Sequence, residues 1–227
     1  GGIYVGDGGD LVLRDSTVRD NDALGGNSGN GGGLHVGAGA TALIERSTVS
    51  GNTGNVGGAL RSRGDVTVVN STLSGNASYG WHGGAIFHSD GSMEVRSSTV
   101  TGNTTPTWGP LAAIFVAYGT PQLVLTDSVL SGNAAYACQA QDGGTVVSAG
   151  HNLVQDGSCS PVASDLVGVD PLLGPLADNG GPTWTHALLA GSPAVDGAGA
   201  ESAPATDQRG VARPVGAGPD IGAFEQE

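Results

Sequence analysis

Short runs in which apolar and polar residues alternate recur along most of this chain, each run bounded by Gly, Asn, Asp or Ser. One marker makes the recurrence explicit. The segment from Ser16 to Asn21 (Ser-Thr-Val-Arg-Asp-Asn) returns with small changes from Ser47 to Asn52, Ser71 to Asn76, Ser98 to Asn103 and Ser128 to Asn133. The closing Asn advances by 31, 24, 27 and 30 residues. A variable period of this size fits a solenoid whose insertions are confined to loops.

Each repeat holds three alternating runs, so each coil is expected to have three sides. The first run places Ile3, Leu34, Leu60, Ile86 and Ile114 at its apolar position, preceded in most coils by a Gly pair such as Gly32-Gly33 or Gly57-Gly58. The second has two apolar positions: Leu11 and Leu13, Ala42 and Ile44, Val66 and Val68, Met93 and Val95, Leu123 and Leu125. The third contributes Val18, Val49, Leu73, Val100 and Leu130. Side chains alternate across a strand, so each set falls on one side, and stacked coils gather them into continuous inner columns. The pattern predicts an all-β, three-sided parallel solenoid over residues 1–137, with 138–227 as the last coils and an irregular capping region. The Asn residues Asn21, Asn52, Asn76, Asn103 and Asn133 are read as a structural ladder, bonding along the stack and tolerating a left-handed turn.

Composition supports this reading. The chain has 227 residues with 42 Gly and only ten aromatic residues, a mix suited to short strands and tight turns. Its net charge is −13 and all eight basic residues are Arg. Such a surface lacks the clustered cations that phosphate backbones require, so nucleic acid is excluded as a partner. No run approaches the length of an apolar membrane span. Cys138 and Cys159 are the only cysteines. They form one disulfide in an oxidising compartment and remain free thiols in a reducing one. The chain opens on Gly1-Gly2-Ile3-Tyr4-Val5, which reads as the middle of a repeat and gives the expectation that an earlier segment precedes it.

The repeats resemble the right-handed parallel β-helix superfamily that includes the pectin lyases. From Gly150-His151-Asn152-Leu153 onward the chain also resembles the choice-of-anchor Q domain of bacterial surface proteins, through Asp170-Pro171-Leu172-Leu173-Gly174-Pro175, Asp178-Asn179-Gly180-Gly181-Pro182, Asp207-Gln208-Arg209-Gly210 and Asp220-Ile221-Gly222-Ala223-Phe224-Glu225. These resemblances imply a secreted protein held at the cell surface, with a mostly undefined activity. Without them, the Pro- and Gly-rich tail reads as a cover for the open end of the solenoid, held together by pairs among Asp207, Arg209, Arg213 and Asp220.

Candidate chemistry concentrates on the outward position of the first run, which carries Tyr4, His35, Arg61, Phe87 and Phe115 in successive coils. Stacked rings with a guanidinium among them suit sugar rings, provided the loops at 76–83 and 103–110, with Trp81 and Trp108, leave the stripe open. A polysaccharide lyase or glycosidase is the enzyme alternative, with Arg61, Arg63, Arg96, His35 and His88 as candidate bases or cations and Asp65 and Asp90 as acids. The close carboxylate cluster of a hydrolase is missing. The hydroxyls of Thr48, Ser50, Thr72, Ser74, Thr99 and Thr101 form an array like that of ice-binding solenoids, interrupted by Arg19 and Val129. No calcium loop and no zinc spacing is present, and no cofactor is implied. The expected function is therefore a non-enzymatic extracellular structural or adhesive module. Its expected partners are polysaccharide or other surface components, and copies of itself through the coil ends.

Overall fold

The structure is a computed structural model describing residues 1–23, 31–80, 82–106, 112–133 and 136–227. Three parallel sheets form the sides of a solenoid. The first sheet stacks Ile3–Val5, Leu34–Val36, Leu60–Ser62, Ile86–His88, Ala112–Val116 and Tyr136–Ala140. The second stacks Asp10–Arg14, Thr41–Glu45, Asp65–Val69, Ser92–Arg96, Gln122–Thr126 and Thr145–Ser148. In the third, Thr17–Arg19, Thr48–Ser50, Thr72–Ser74, Thr99–Thr101 and Val129–Ser131 are followed by Leu153–Val154 and Leu166–Val167. Coils therefore run on past residue 137.

Register is set by the interior. Leu34, Leu60, Ile86 and Ile114 form one buried column, Ile44, Val68, Val95 and Leu125 a second, Val49, Leu73, Val100 and Leu130 a third. A slip of one residue would turn a whole column outward, at roughly 1.5–3 kcal/mol for each Leu or Ile exposed. The Gly pairs serve close approach: a Cβ on Gly58 would collide with the Gly84 carbonyl oxygen and the Ala77 backbone.

Two hydrogen-bonded ladders run along the corners. Each Asn Nδ2 donates to the Oδ1 of the next coil's Asn, at 2.8 Å from Asn21 to Asn52, 3.0 Å to Asn76, 2.9 Å to Asn103 and 2.9 Å to Asn133. The left-handed turn falls one residue earlier than the sequence suggested, on Asp20, Gly51, Gly75, Gly102 and Gly132, with the Asn residues spared the strained φ. At the opposite corner, the backbone N–H groups of Ser16, Ser47, Ser71 and Ser98 donate to the Ser hydroxyl one coil on, and that of Ser128 donates to Asn152 Oδ1.

The tail does not do what its composition suggested. The C-terminal end is covered by the short 3-10 turn Gly157–Cys159, which sets Cys159 into the core and joins it to Cys138 by a disulfide. Asp156 Oδ2 and Ser158 Oγ accept the Ala137 and Cys138 amide hydrogens, so these donors of the last first-sheet strand are occupied at the end where a further copy would add. Residues beyond 170 instead fold back along the third sheet. There the antiparallel hairpin Leu173–Ala177 and Thr185–Leu188 and the segment 194–226 lie over its outward face.

The match is chemical as well as geometric. The outward row of the third sheet reads Thr48, Thr72, Thr99, Val129 and Leu153. Thr48 Oγ1 donates to Trp184 O at 2.6 Å, Thr72 Oγ1 donates to Gln208 Oε1 at 2.7 Å, and Thr99 Oγ1 accepts from Ala223 N at 3.1 Å. Beyond them Val129 and Leu153 pack against Leu188, Ala194, Ile221 and Phe224. The hydroxyl row is thus buried, which removes the flat solvent-facing array that an ice-binding surface needs.

Inside the tail, Asp207 Oδ2 accepts from Arg209 Nε at 2.9 Å, and the Arg209 guanidinium lies 3.6 Å from the Phe224 ring centroid. Arg213 donates to the Asp220 and Gly222 carbonyl oxygens and stands 3.7 Å from Glu225 Oε2. The Arg213 partner is thus Glu225 together with backbone, while the Asp220 carboxylate accepts from the Asp196 and Gln226 amides. Burial pushes both Asp220 and Glu225 above the usual carboxylate range.

Candidate functional site

The first sheet carries the predicted stripe in register, Tyr4 beside His35, then Arg61, Phe87, Phe115 and Gln139. Parallel stacking fixes their spacing at about 4.8 Å per coil. The stripe is not uniformly open. Tyr4 is 71% exposed and Phe115 is 0% exposed, with His35 and Arg61 between and Phe87 buried. The expectation of an exposed row therefore holds at one end and fails at the other.

The cause is a cover of two side chains. His82 stacks on Phe115 with ring centroids 4.3 Å apart and planes 12° apart, and Tyr118 meets Phe87 edge-on at 6.0 Å. Tyr118 Oη lies 3.1 Å from His82 Nε2 and ties the two together. Val56 and Ala117 complete this small apolar cluster. Neither His82 nor Tyr118 carries a periodic signal. Tyr118 sits at a left-handed position, φ 69°, immediately before Gly119, so the loop that delivers it is sharply shaped. Trp81 and Trp108 lie outside the described residues; Trp184 is half-exposed on the tail.

Where the cover meets the open part of the stripe there is a cleft of about 390 Å³, lined by Arg61, Arg63, His82, Phe87, Ser89, Asp90 and Tyr118. The Arg61 guanidinium carbon lies 6.0 Å from the Phe87 ring centroid. Burial, and then the positive charge of Arg63, lower the affinity of Arg61 for its proton. Burial also holds His82 below the ordinary imidazole value, and burial with the Arg61 and Arg63 charges does the same to His35. At neutral pH both imidazoles are uncharged, so the cleft presents two guanidinium cations, one exposed carboxylate from Asp90 and aromatic walls. An anionic sugar fits this set: the cations take the carboxylate and the rings take the C–H faces.

The other sequence candidates lie elsewhere. His88 points inward, fully buried, with Nε2 3.1 Å from Gly91 O, and burial lowers its pKa. Arg96 is on the second sheet, 3.7 Å from Glu94, and Asp65 there accepts from the Ser92 amide and hydroxyl. A groove of about 710 Å³ on that sheet is lined by Val12, Leu43, Thr67 and Val124; of its carboxylates, Asp10 and Asp65 are already bonded to Thr41 and Ser92, and Glu94 stands 3.7 Å from Arg96. Among the described residues no three His, Cys, Asp or Glu side chains gather as a metal site.

The comparisons with known proteins agree with this architecture. A search of curated sequences finds no match. A solved structure titled "Crystal structure of pectate lyase Pel9A" is similar at a TM-score of 0.51 and 16% identity, covering 99% of this chain and 70% of that one. Likeness at that identity speaks for the fold alone. A family model described as "Right handed beta helix region" matches residues 1–165, and the chain belongs to that right-handed parallel β-helix family.

Proposed function

We propose that this protein is an adhesive module whose Arg61–Arg63 cleft on the first sheet binds an acidic polysaccharide without cleaving it. One observation carries the reading. On a chain of net charge −13, two of only eight cations meet in a cleft walled by Phe87, His82 and Tyr118. The open end of the stripe, His35 and Tyr4, extends the surface by further sugar-sized steps along the stack. Placement outside the cell rests on the Cys138–Cys159 disulfide and on the resemblance of the tail to choice-of-anchor Q domains, which also supports attachment to a bacterial envelope.

A second reading has one observation in its favour. Arg61 is half-buried beside Arg63 and holds its proton less tightly than an ordinary guanidinium, as a lyase base must. The solved neighbour is itself titled a pectate lyase.

One panel separates the two. Retention on polygalacturonate and other uronate gels is expected to exceed retention on neutral gels, to weaken with salt, and to fall about 10-fold or more in Arg61→Ala, the loss of one charge-assisted bond. Equal retention on neutral gels sinks the acidic-sugar reading. Growth of near-ultraviolet absorbance from unsaturated products, abolished by the same substitution, makes the protein a lyase.

A further inference from the structure

The tail does more than cover hydroxyls. The hairpin stands over the N-terminal half of the third sheet and leaves a groove of about 590 Å³ beside it, on a different sheet from the Arg61 cleft. Ser74 and Ser50 line its floor in register, Gly75 leaves open space beside Ser74, and Trp184 forms a wall with 47% of its surface exposed. Arg19 holds that ring from one side, its guanidinium carbon 5.8 Å from the centroid.

The hairpin sets His186 against Ser74 of this floor. Its Nε2 lies 2.8 Å from Ser74 Oγ, and its Nδ1 lies 2.7 Å from the Gly174 carbonyl oxygen. The carbonyl can only accept, so Nδ1 carries the hydrogen and Nε2 of the neutral ring presents a lone pair to the Ser74 hydroxyl. Burial favours that neutral ring, opposed by the weaker pull of the Gly174 bond. A hydroxyl donating to an imidazole that a third group orients is the arrangement of an activated serine nucleophile.

We propose that Ser74 and His186 form a catalytic dyad that hydrolyses small acyl esters carried on a saccharide. Ser74 Oγ attacks the acyl carbonyl carbon while its proton passes to His186 Nε2. The carbon–oxygen bond to the sugar then breaks, and the departing oxygen takes that proton. Water, deprotonated by the same nitrogen, cleaves the acyl-serine to give the free acid and restore Ser74. The Ser50 hydroxyl, one coil away on the same floor, supplies a donor toward the developing oxyanion. The Trp184 ring offers a face for the sugar, and the open space at Gly75 admits an acyl group of acetyl size.

The alternative is that Ser74 merely docks the hairpin. A fluorophosphonate probe separates the two on the unmodified protein. Tryptic cleavage after Arg63 and Arg96 releases one peptide carrying Ser74. The expected result is an adduct on Ser74 in that peptide, together with hydrolysis of p-nitrophenyl acetate that Ser74→Ala lowers at least about 100-fold. His186→Gln keeps an acceptor for the Ser74 hydroxyl and cannot take its proton. It should show the same loss of hydrolysis and of labelling at an unchanged melting temperature. Absence of the adduct in the folded protein, or hydrolysis that survives either substitution, overturns the proposal.

Discussion

The coils and the lateral tail solve the same problem in opposite ways. Both bury polar groups that must find partners. Along most of the coils the partner is the equivalent residue one turn on: Asn to Asn, Ser to Ser, Val over Leu. In the tail each partner is unlike its mate. Asp207 serves Arg209, Val211 and Glu225, Glu225 serves Val215 and Asp220, and Gln208 reaches Thr48, Thr72 and Thr183. Repetition distributes the burden evenly over many weak steps, whereas the tail concentrates it in a few side chains. Damage should therefore be local and graded in the coils and abrupt in the tail.

The sharpest way to break this contrast is Asp207→Ala. It strands the Arg209 guanidinium, only 6% exposed, and three backbone amides at once. A cost of about 3–5 kcal/mol is expected, as for a buried pair that loses one member. Trypsin should then cut after Arg209 while the coils keep their far-ultraviolet circular dichroism. Resistance of that site would show that the network is not what holds the tail.

Asn76→Ala comes next. It orphans the Asn52 side-chain amide and backbone N–H, the Val49 carbonyl and an Asn103 acceptor. The expected cost is about 2–4 kcal/mol in denaturant unfolding, one to two orphan penalties, with the tail still protected from trypsin. A loss no greater than that of an exposed Asn would mean the ladder carries little.

The smallest effect is a pH response in which the histidines of both regions and the two buried tail carboxyls act with opposite signs. Burial lowers the pKa of His35, His82 and His88 in the coils and of His186 in the tail. Unfolded imidazoles take protons below about pH 6.5 while the folded ones resist, so these groups cost stability as pH falls through that value. Asp220 and Glu225, raised in the fold, act the other way: the penalty of their buried charge eases as acid protonates them. Melting between pH 7 and pH 5 should show a net fall, reduced by His88→Asn. A rise would mean the two tail carboxyls dominate.

The three core columns were readable from sequence because each position is copied in every coil, so Leu34, Leu60 and Ile86 testify for one another. The same logic exposed the outward row of Tyr4, His35, Arg61, Phe87 and Phe115. It could not reveal that Phe87 and Phe115 are covered, since His82 and Tyr118 occur once and reach their places through loops. The tail was misjudged for the same reason. Its composition announced an irregular cover, but the choice of the side over the end depends on Thr48, Thr72, Thr99, Val129 and Leu153 changing from hydroxyl to apolar along the stack. That gradient was visible in the sequence as an interruption at Val129 and carried no meaning until a partner lay on it. The Ser74–His186 contact joins residues 112 positions apart and left no local trace.

Because the tail touches successive coils with different residues, it measures the solenoid. Trp184 O meets Thr48, Gln208 meets Thr72, Ala223 meets Thr99, and Gly199 and Gly222 meet Asp127. Repeat proteins change length by duplicating or deleting whole units, and a free stack tolerates this. Here an added or missing coil between Thr48 and Asp127 would shift every later mark by about 4.8 Å and put donors opposite gaps. The clasp thus acts as a ruler that holds this span of the molecule to one length, and growth by repeat duplication is open only outside its reach.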